Sequence, residues 1–266
     1  MKKLFVFDVD GTLLTSEVKI LESTKEAMKL LQAQGHQILL ASARPPVGLK
    51  TLLAELGAGS LFIGLNGALI MDGDTILVEK EIPSEGVMEA LGLARSYKLS
   101  VNFYSGGSWF VEEVNEYIRN EAKAVNAKPE LADLDLVAKN SKVHKVLVIG
   151  HEPDVPRYQK ELQAKSPLVN ASISLSNYCE IVSNTISKAT ALKEVCNKLG
   201  VSLTDTVAFG DGENDLEMLK LAGISVAMGN AHPALLEQAD HVTLNNNEDG
   251  ILAGVRWVLE QIGGRE

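Results

Sequence analysis

Asp8 and Asp10 stand two residues apart in Asp8-Val9-Asp10-Gly11-Thr12, directly after the apolar run 4–7. If the strand that this run predicts continued, its period of two would send both carboxylates to one side. A second acidic segment, Gly210-Asp211-Gly212-Glu213-Asn214-Asp215, follows the apolar run 207–209 and opens a helical pattern that Asp215 could cap. Ser42, before Ala43-Arg44-Pro45, closes a third apolar run. Taken singly, each segment also reads as an ordinary turn, because Asp, Gly and Ser are favoured where strands end. A calcium loop does not fit: counting from Asp8, the sixth position is Leu13 where Gly is needed, and the twelfth is Lys19 where Glu is needed. Carboxylates brought together repel by about 4 kcal/mol per pair at 4 Å and an effective dielectric near 20. Something positive must then join them. Hard oxygen ligands suit magnesium, which keeps sites for phosphate oxygens; zinc would want His or Cys, and these motifs hold neither.

The elements that must position these residues alternate along the chain. Apolar runs at 4–7, 37–41 and 61–65 are separated by helical patterns at 22–34 and after Pro46, and the rhythm returns with strands at 206–209, 224–228 and 241–244 and helices at 214–222 and after Pro233. This β-α-β order predicts an α/β fold, a Rossmann-like parallel sheet flanked by helices. The middle reads differently, as α-β-β-α-β-α-β-β, and predicts an inserted α/β cap domain at 83–183 within a catalytic core of 1–82 and 184–266. In an open α/β sheet, ligands bind outside the carboxyl ends of the strands. Asp8, Asp10, Ser42, Asp211 and Asp215 all fall on that edge.

These segments, with Lys188, resemble the four motifs of the haloacid dehalogenase superfamily. The likeness is closest to the Cof-type phosphatases of subfamily IIB, whose cap is inserted between the second and third motifs, here between Ser42 and Lys188. It spans nearly the whole chain, including Asn66-Gly67-Ala68 and Asn247-Glu248-Asp249-Gly250. The resemblance implies that Asp8 attacks phosphorus to form an aspartyl-phosphate and that Asp10 protonates the leaving oxygen and then activates water. It implies magnesium at the Asp8 side chain, the Asp10 carbonyl and Asp211, with Asp215 close by. Ser42, the Ala43 N–H, Lys188 and Asn214 are implied to hold phosphoryl oxygens. Two departures stand out, since the family more often has Gly where this chain has Ala43 and Ala189; both keep the N–H donor. A lysine in the first turn of a helix is disfavoured by the helix dipole, which supports a functional reason for Lys188.

Bulk properties narrow the partners. Thirty-five acidic against 25 basic residues give a formal charge of −10, which argues against a general grip on nucleic-acid phosphates. A small phosphorylated metabolite, a sugar phosphate or similar monoester, is the expected substrate. Cys179 and Cys196 are too few for a disulfide framework, no apolar run reaches membrane-spanning length, and no secretory leader is visible, so the expected location is the cytoplasm. Rival readings are a phosphomutase of the phosphomannomutase type, which must keep water from the intermediate, and a non-catalytic sensor of phosphorylated metabolites. Leaving-group recognition is expected from the cap, with Asn102, Tyr104, Trp109, Asn177 and Tyr178 as candidates, although aromatics on strands more often serve packing; were the cap only a lid, specificity would be sought around Asn66-Gly67-Ala68 and Arg44.

Overall fold

A computed structural model describes residues 2–125 and 127–263. The chain opens with β1 (Leu4–Phe7), α1 (Glu22–Ala33), β2 (Gln37–Ala41), α2 (Pro46–Leu56), β3 (Leu61–Gly64), β4 (Leu69–Asp72) and β5 (Thr75–Glu79). The middle holds α3 (Ser84–Ser96), β6 (Ser100–Ser105), β7 (Ser108–Val111), α4 (Glu116–Ala124), β8 (Glu130–Leu131), α5 (Leu134–Asn140), β9 (Lys145–Ile149), α6 (Asp154–Lys165), β10 (Val169–Leu175) and β11 (Tyr178–Ser183). It ends with α7 (Lys188–Leu199), β12 (Thr206–Gly210), α8 (Leu216–Leu221), β13 (Ile224–Ala227), α9 (Pro233–Gln238), β14 (His241–Val242) and α10 (Gly250–Gly263). Among the described residues, no helix is long and apolar enough to cross a membrane.

Two compact units result. The first takes the chain up to Ser42, Leu49–Thr75 and everything from Ser187 onward; the second takes Ala43–Gly48 and Ile76–Ile186. In the first unit the strands lie in the order β14-β13-β12-β1-β2-β3-β4. All neighbours from β14 to β3 run parallel, and β4 turns back antiparallel on β3. Every residue of β1 is buried, as a strand covered on both faces requires, and the Phe7 and Phe209 rings stack at 4.8 Å.

The chain crosses to opposite sides of β1, to β2 first and to β12 last. That makes the carboxyl ends of β1 and β12 the switch point, with Phe7 level with Phe209. β1 stops at Phe7, and the Asp8 N–H is tied to the Phe209 carbonyl at 3.0 Å. The condition for same-side carboxylates therefore fails, and Asp8 is buried while Asp10 is exposed. The helical pattern at 214–222 is likewise split: a 3₁₀ turn at Glu213–Asp215 precedes α8.

The second unit is a six-stranded sheet in the order β10-β11-β9-β6-β7-β8, antiparallel except for β7 and β8. One face packs Val101, Phe103, Val146, Val148, Cys179 and Ile181 against apolar residues of α3, α5 and α6. Pattern reading missed α5, a seven-residue helix too short to show periodicity, whose Asp133 caps the N–H groups of Asp135 and Leu136. It also missed the strands β4 and β5, although Asp72-Gly73 between them is a tight-turn signal.

After β3 the backbone enters the left-handed region at Leu65 (φ 51°), Asn66 (φ 58°) and Gly67 (φ 109°). A Cβ on Gly67 would lie 2.4 Å from the Ser187 carbonyl, so only glycine lets this turn abut the start of α7. Gly67→Ala is expected to cost about 1–3 kcal/mol of stability. Gly92→Ala, inside α3 with open space around the missing Cβ, should raise stability by up to about 1 kcal/mol. Urea unfolding of the two variants beside the parent checks the opposite signs.

Candidate active site

Three carboxylates converge where β1 and β12 end: one oxygen of each of Asp8, Asp211 and Asp215 lies within 4.8 Å of the others. Lys188, the first residue of α7, is buried between two of them, with Nζ at 2.5 Å from Asp8 Oδ1 and 2.6 Å from Asp215 Oδ1. Its helix is fixed by a reciprocal cap, in which Ser187 Oγ accepts from the Thr190 N–H and Thr190 Oγ1 accepts from the Ser187 N–H. Asp215 does not cap α8 with its side chain. Its Oδ2 turns back to accept from the N–H groups of Asp211 and Gly212, at 3.2 and 3.0 Å. Both its oxygens are thus engaged, which makes Asp215 the anchor of Lys188 and of the 211–212 turn.

Asp211 Oδ1 accepts from the Thr12 hydroxyl at 2.8 Å. Gly11, at φ 82°, brings its backbone so close that a Cβ there would lie 2.2 Å from Asp211 Oδ2. Thr12 lies in the first motif yet carried no assigned role; its contact depends on a partner 199 residues away, which no local pattern reveals.

Burial and mutual repulsion set the charge states. Burial above all, then the Asp215 charge, lifts the Asp8 carboxyl well above the usual range, against the pull of Lys188. Burial pushes Asp211 up to about 6, with the Thr12 hydrogen bond opposing. Burial alone would lower the Lys188 ammonium; the charges of Asp215 and Asp8 outweigh it and hold the lysine protonated. One cation serves three acids, so the cluster is short of positive charge. Its all-oxygen donor set and its raised carboxyls fit a hard divalent cation of the magnesium type.

Ser42 is buried; its N–H donates to the Ile63 carbonyl and its own carbonyl accepts from the Asn66 N–H. Asn214 Nδ2 approaches Asn66 Oδ1 at 3.4 Å, so the left-handed turn after β3 links the ends of β2 and β12. Asp10 is exposed in an otherwise largely buried turn beyond β1, with a bridge to Leu14. Ala43 belongs to the second unit, where its carbonyl accepts from Lys145 Nζ at 3.0 Å.

The second unit has a polar cluster of its own. Strand alternation puts Asn102, Tyr104, Lys145 and Glu180 on the sheet face opposite the apolar core. Three of the residues singled out by type are occupied internally. Asn102 donates to the Leu147 carbonyl, Trp109 Nε1 donates to Asn102 Oδ1, and the Tyr104 hydroxyl bonds Glu121 while its ring stacks on Trp109. The packing role wins for these three. Composition gave no hint of Lys145 and Glu180, which form a buried ion pair at 3.2 Å with the lysine over the Tyr104 ring. Beside them burial raises the Glu121 carboxyl.

A family model described as haloacid dehalogenase-like hydrolase matches residues 5–254. The 5-amino-6-(5-phospho-D-ribitylamino)uracil phosphatase of Bacillus subtilis is 30% identical over 261 residues, covering 97% of this chain and 96% of that protein. A solved haloacid dehalogenase-like hydrolase from Bacteroides thetaiotaomicron superposes with a TM-score of 0.87 at 31% identity, over 97% of this chain and 100% of that one. A structure described as a subclass IIB sugar phosphatase superposes with a TM-score of 0.86 at 26% identity, over 98% and 99%.

The raised Asp211 carboxyl gives metal binding a pH dependence with a defined sign. The folded, metal-free protein holds this proton up to about pH 6, against an ordinary value of 3.8, so its stability falls as pH rises through that window. A cation must displace the proton on Asp211 and compete as well with the raised Asp8 carboxyl, so affinity weakens as pH falls. Calorimetric titration with magnesium should give an affinity about tenfold or more lower at pH 5 than at pH 7.5, with protons released on binding. Equal affinities at the two pH values would refute it.

Proposed function

This chain belongs to the haloacid dehalogenase-like hydrolase family, in its Cof-type subclass IIB, and is a phosphatase; on that premise we propose that it hydrolyses a small phosphorylated metabolite through an Asp8 aspartyl-phosphate, with magnesium. The observation that carries this reading is the buried Asp8 carboxylate clamped by Lys188 beside Asp211 and Asp215. Lys188 orients Asp8 by one oxygen and leaves the other to attack phosphorus. The new bond joins that oxygen to phosphorus, the ester bond to the leaving oxygen breaks, and Asp10 gives that oxygen its proton. Asp10 then takes a proton from a water that attacks the phosphoryl group; phosphate leaves and the Asp8 carboxylate is restored. Asp8, the Asp10 carbonyl and Asp211 would hold the metal, with Asp215 behind them. Bound among them, the ion supplies the positive charge that lets an ionised Asp8 and a phosphate dianion share one site. Ser42, the Ala43 N–H, Lys188 and Asn214 are assigned to the phosphoryl oxygens.

These groups address only the phosphoryl end of a substrate. We assign the leaving group to the second unit, a specificity domain inserted between the two parts of a catalytic core. The sugar phosphatase and the ribitylamino-uracil phosphatase among the relatives are both named for phosphoesters of polyhydroxylated chains. That supports a sugar or polyol phosphate here. Lys145 and Glu180 suit such a leaving group, since hydroxyls can accept from the ammonium and donate to the carboxylate. A buried ion pair contributes little net stability, which leaves recognition as a reason for its presence.

Asp8→Asn should abolish phosphate release from p-nitrophenyl phosphate while leaving the thermal midpoint within a few degrees, and EDTA should silence the parent until magnesium is restored. Near-normal turnover by Asp8→Asn would end the nucleophile assignment. Replacing Lys145 by Met together with Glu180 by Leu removes both charges without stranding either. Across a panel of sugar phosphates, nucleotides and p-nitrophenyl phosphate, this pair should shift the ratio of sugar phosphate to p-nitrophenyl phosphate turnover by more than about tenfold with magnesium dependence intact. A uniform change over all substrates would move specificity out of this cluster.

A further inference from the structure

Two asparagines far along the sequence grip the turn that carries Asp10. Asn230, in the loop after β13, donates Nδ2 to the Gly11 carbonyl at 2.8 Å and lies 3.5 Å from Asp211 Oδ2. Its Oδ1 accepts from the Asn246 N–H at 2.9 Å. Asn246, buried in the loop after β14, donates its own Nδ2 to the Leu14 carbonyl at 2.7 Å. Carbonyls on either side of Thr12 are therefore held by one linked pair of amides.

The turn has need of such a grip. β1 ends at Phe7, and beyond it the segment continues as a turn, in which the Thr12 and Leu14 N–H groups donate to the Val9 carbonyl, with isolated bridges from Asp10 to Leu14 and from Leu14 to Ile20; the Gly11 and Leu14 carbonyls are held from outside it by the two asparagines. Thr12, inside the gripped stretch, is the residue that donates to Asp211. The chemistry selects amides over acids, because a primary amide donates to a carbonyl and accepts from an N–H at once. A carboxylate at position 230 would face the Gly11 carbonyl without a proton and stand beside the Asp211 carboxylate.

We propose that Asn230 and Asn246 are positioning residues that hold the Asp10 turn in register with Asp211, so that Asp10 is aimed at the leaving oxygen. This rests on the acid–base role given to Asp10 above. Misplacing a proton donor by about 1 Å can cost on the order of a hundredfold in rate. The loss must grow with the basicity of the leaving oxygen, since a poor leaving group needs the proton and nitrophenolate departs without it.

The test is a series of substituted phenyl phosphates, from p-nitrophenyl to phenyl phosphate, with kcat/KM plotted against leaving-group basicity. Asn230→Ala and Asn246→Ala, each confirmed as folded by its thermal midpoint, should steepen the plot, with about tenfold or more greater loss on phenyl phosphate than on p-nitrophenyl phosphate. Asn230→Asp keeps the acceptor for the Asn246 N–H and removes the donor to Gly11, so its slope should match that of the alanine variant, whatever the added charge beside Asp211 does to the rate on all substrates alike. A parental slope in Asn230→Asp, or an equal loss across the series in the alanine variants, overturns the proposal. Asp10→Asn run alongside separates the two layers: if it too leaves slope and rate unchanged, the role of Asp10 fails first; if it alone steepens the slope, only the positioning role fails.

Discussion

The clamp of Lys188 on Asp8 and Asp215 is the interaction on which the rest of the first unit depends. Two buried acids with a half-buried third beside them cannot share one spot unaided, and the lysine is placed between Asp8 and Asp215 by the first turn of α7, where its charge opposes the helix dipole. Removing the lysine would strand buried carboxylates, a loss that typically costs about 3–5 kcal/mol, whereas a change at Asp8 leaves Lys188 its pair with Asp215. The helix is in turn set by the Ser187 cap and by the close approach of Gly67 to Ser187. Sheet, turn and helix cap thus converge on the position of one ammonium group, and the deficit of positive charge that remains is what a divalent cation would fill.

Much of this was legible in the sequence, for a physical reason. Parallel strands buried on both faces read as apolar runs, so the positions of Asp8, Ser42 and Asp211 just past the ends of β1, β2 and β12 could be found by reading where hydrophobic stretches stop. What could not be read was the path of the chain just beyond those ends. β1 ends one residue before Asp8, which separates a buried Asp8 from an exposed Asp10, and the Asp215 carboxylate turns back toward Asp211 and Gly212 instead of capping the next helix. Thr12, Asn230 and Asn246 owe their places to partners roughly two hundred residues away or to loops without periodicity.

In the second unit the sheet has one face for packing and one for polar contacts. The alternation that buries Phe103, Val146 and Ile181 under helices obliges Tyr104, Lys145 and Glu180 to share the other side. Residue type alone suggested Asn102, Tyr104 and Trp109, but their hydrogen bonds are taken up inside the unit, by the Leu147 carbonyl, Glu121 and Asn102. Lys145 and Glu180 lie in runs that read as ordinary strands, and only the pairing of β6, β9 and β11 sets them side by side.

The place of β1 at the centre of its sheet has a consequence for how the protein is made. β1 leaves the ribosome before the strands it pairs with, yet one of its two neighbours, β12, begins at Thr206, and the lysine that neutralises Asp8 comes 180 residues after it. Until most of the chain has been synthesised, β1 keeps an unpaired apolar edge, and the early segment has nothing to complete it. Such long-range closure slows folding and exposes sticky intermediates. Nascent chains of this protein should therefore rely on chaperones for most of translation, and the active site should be among the last features to form.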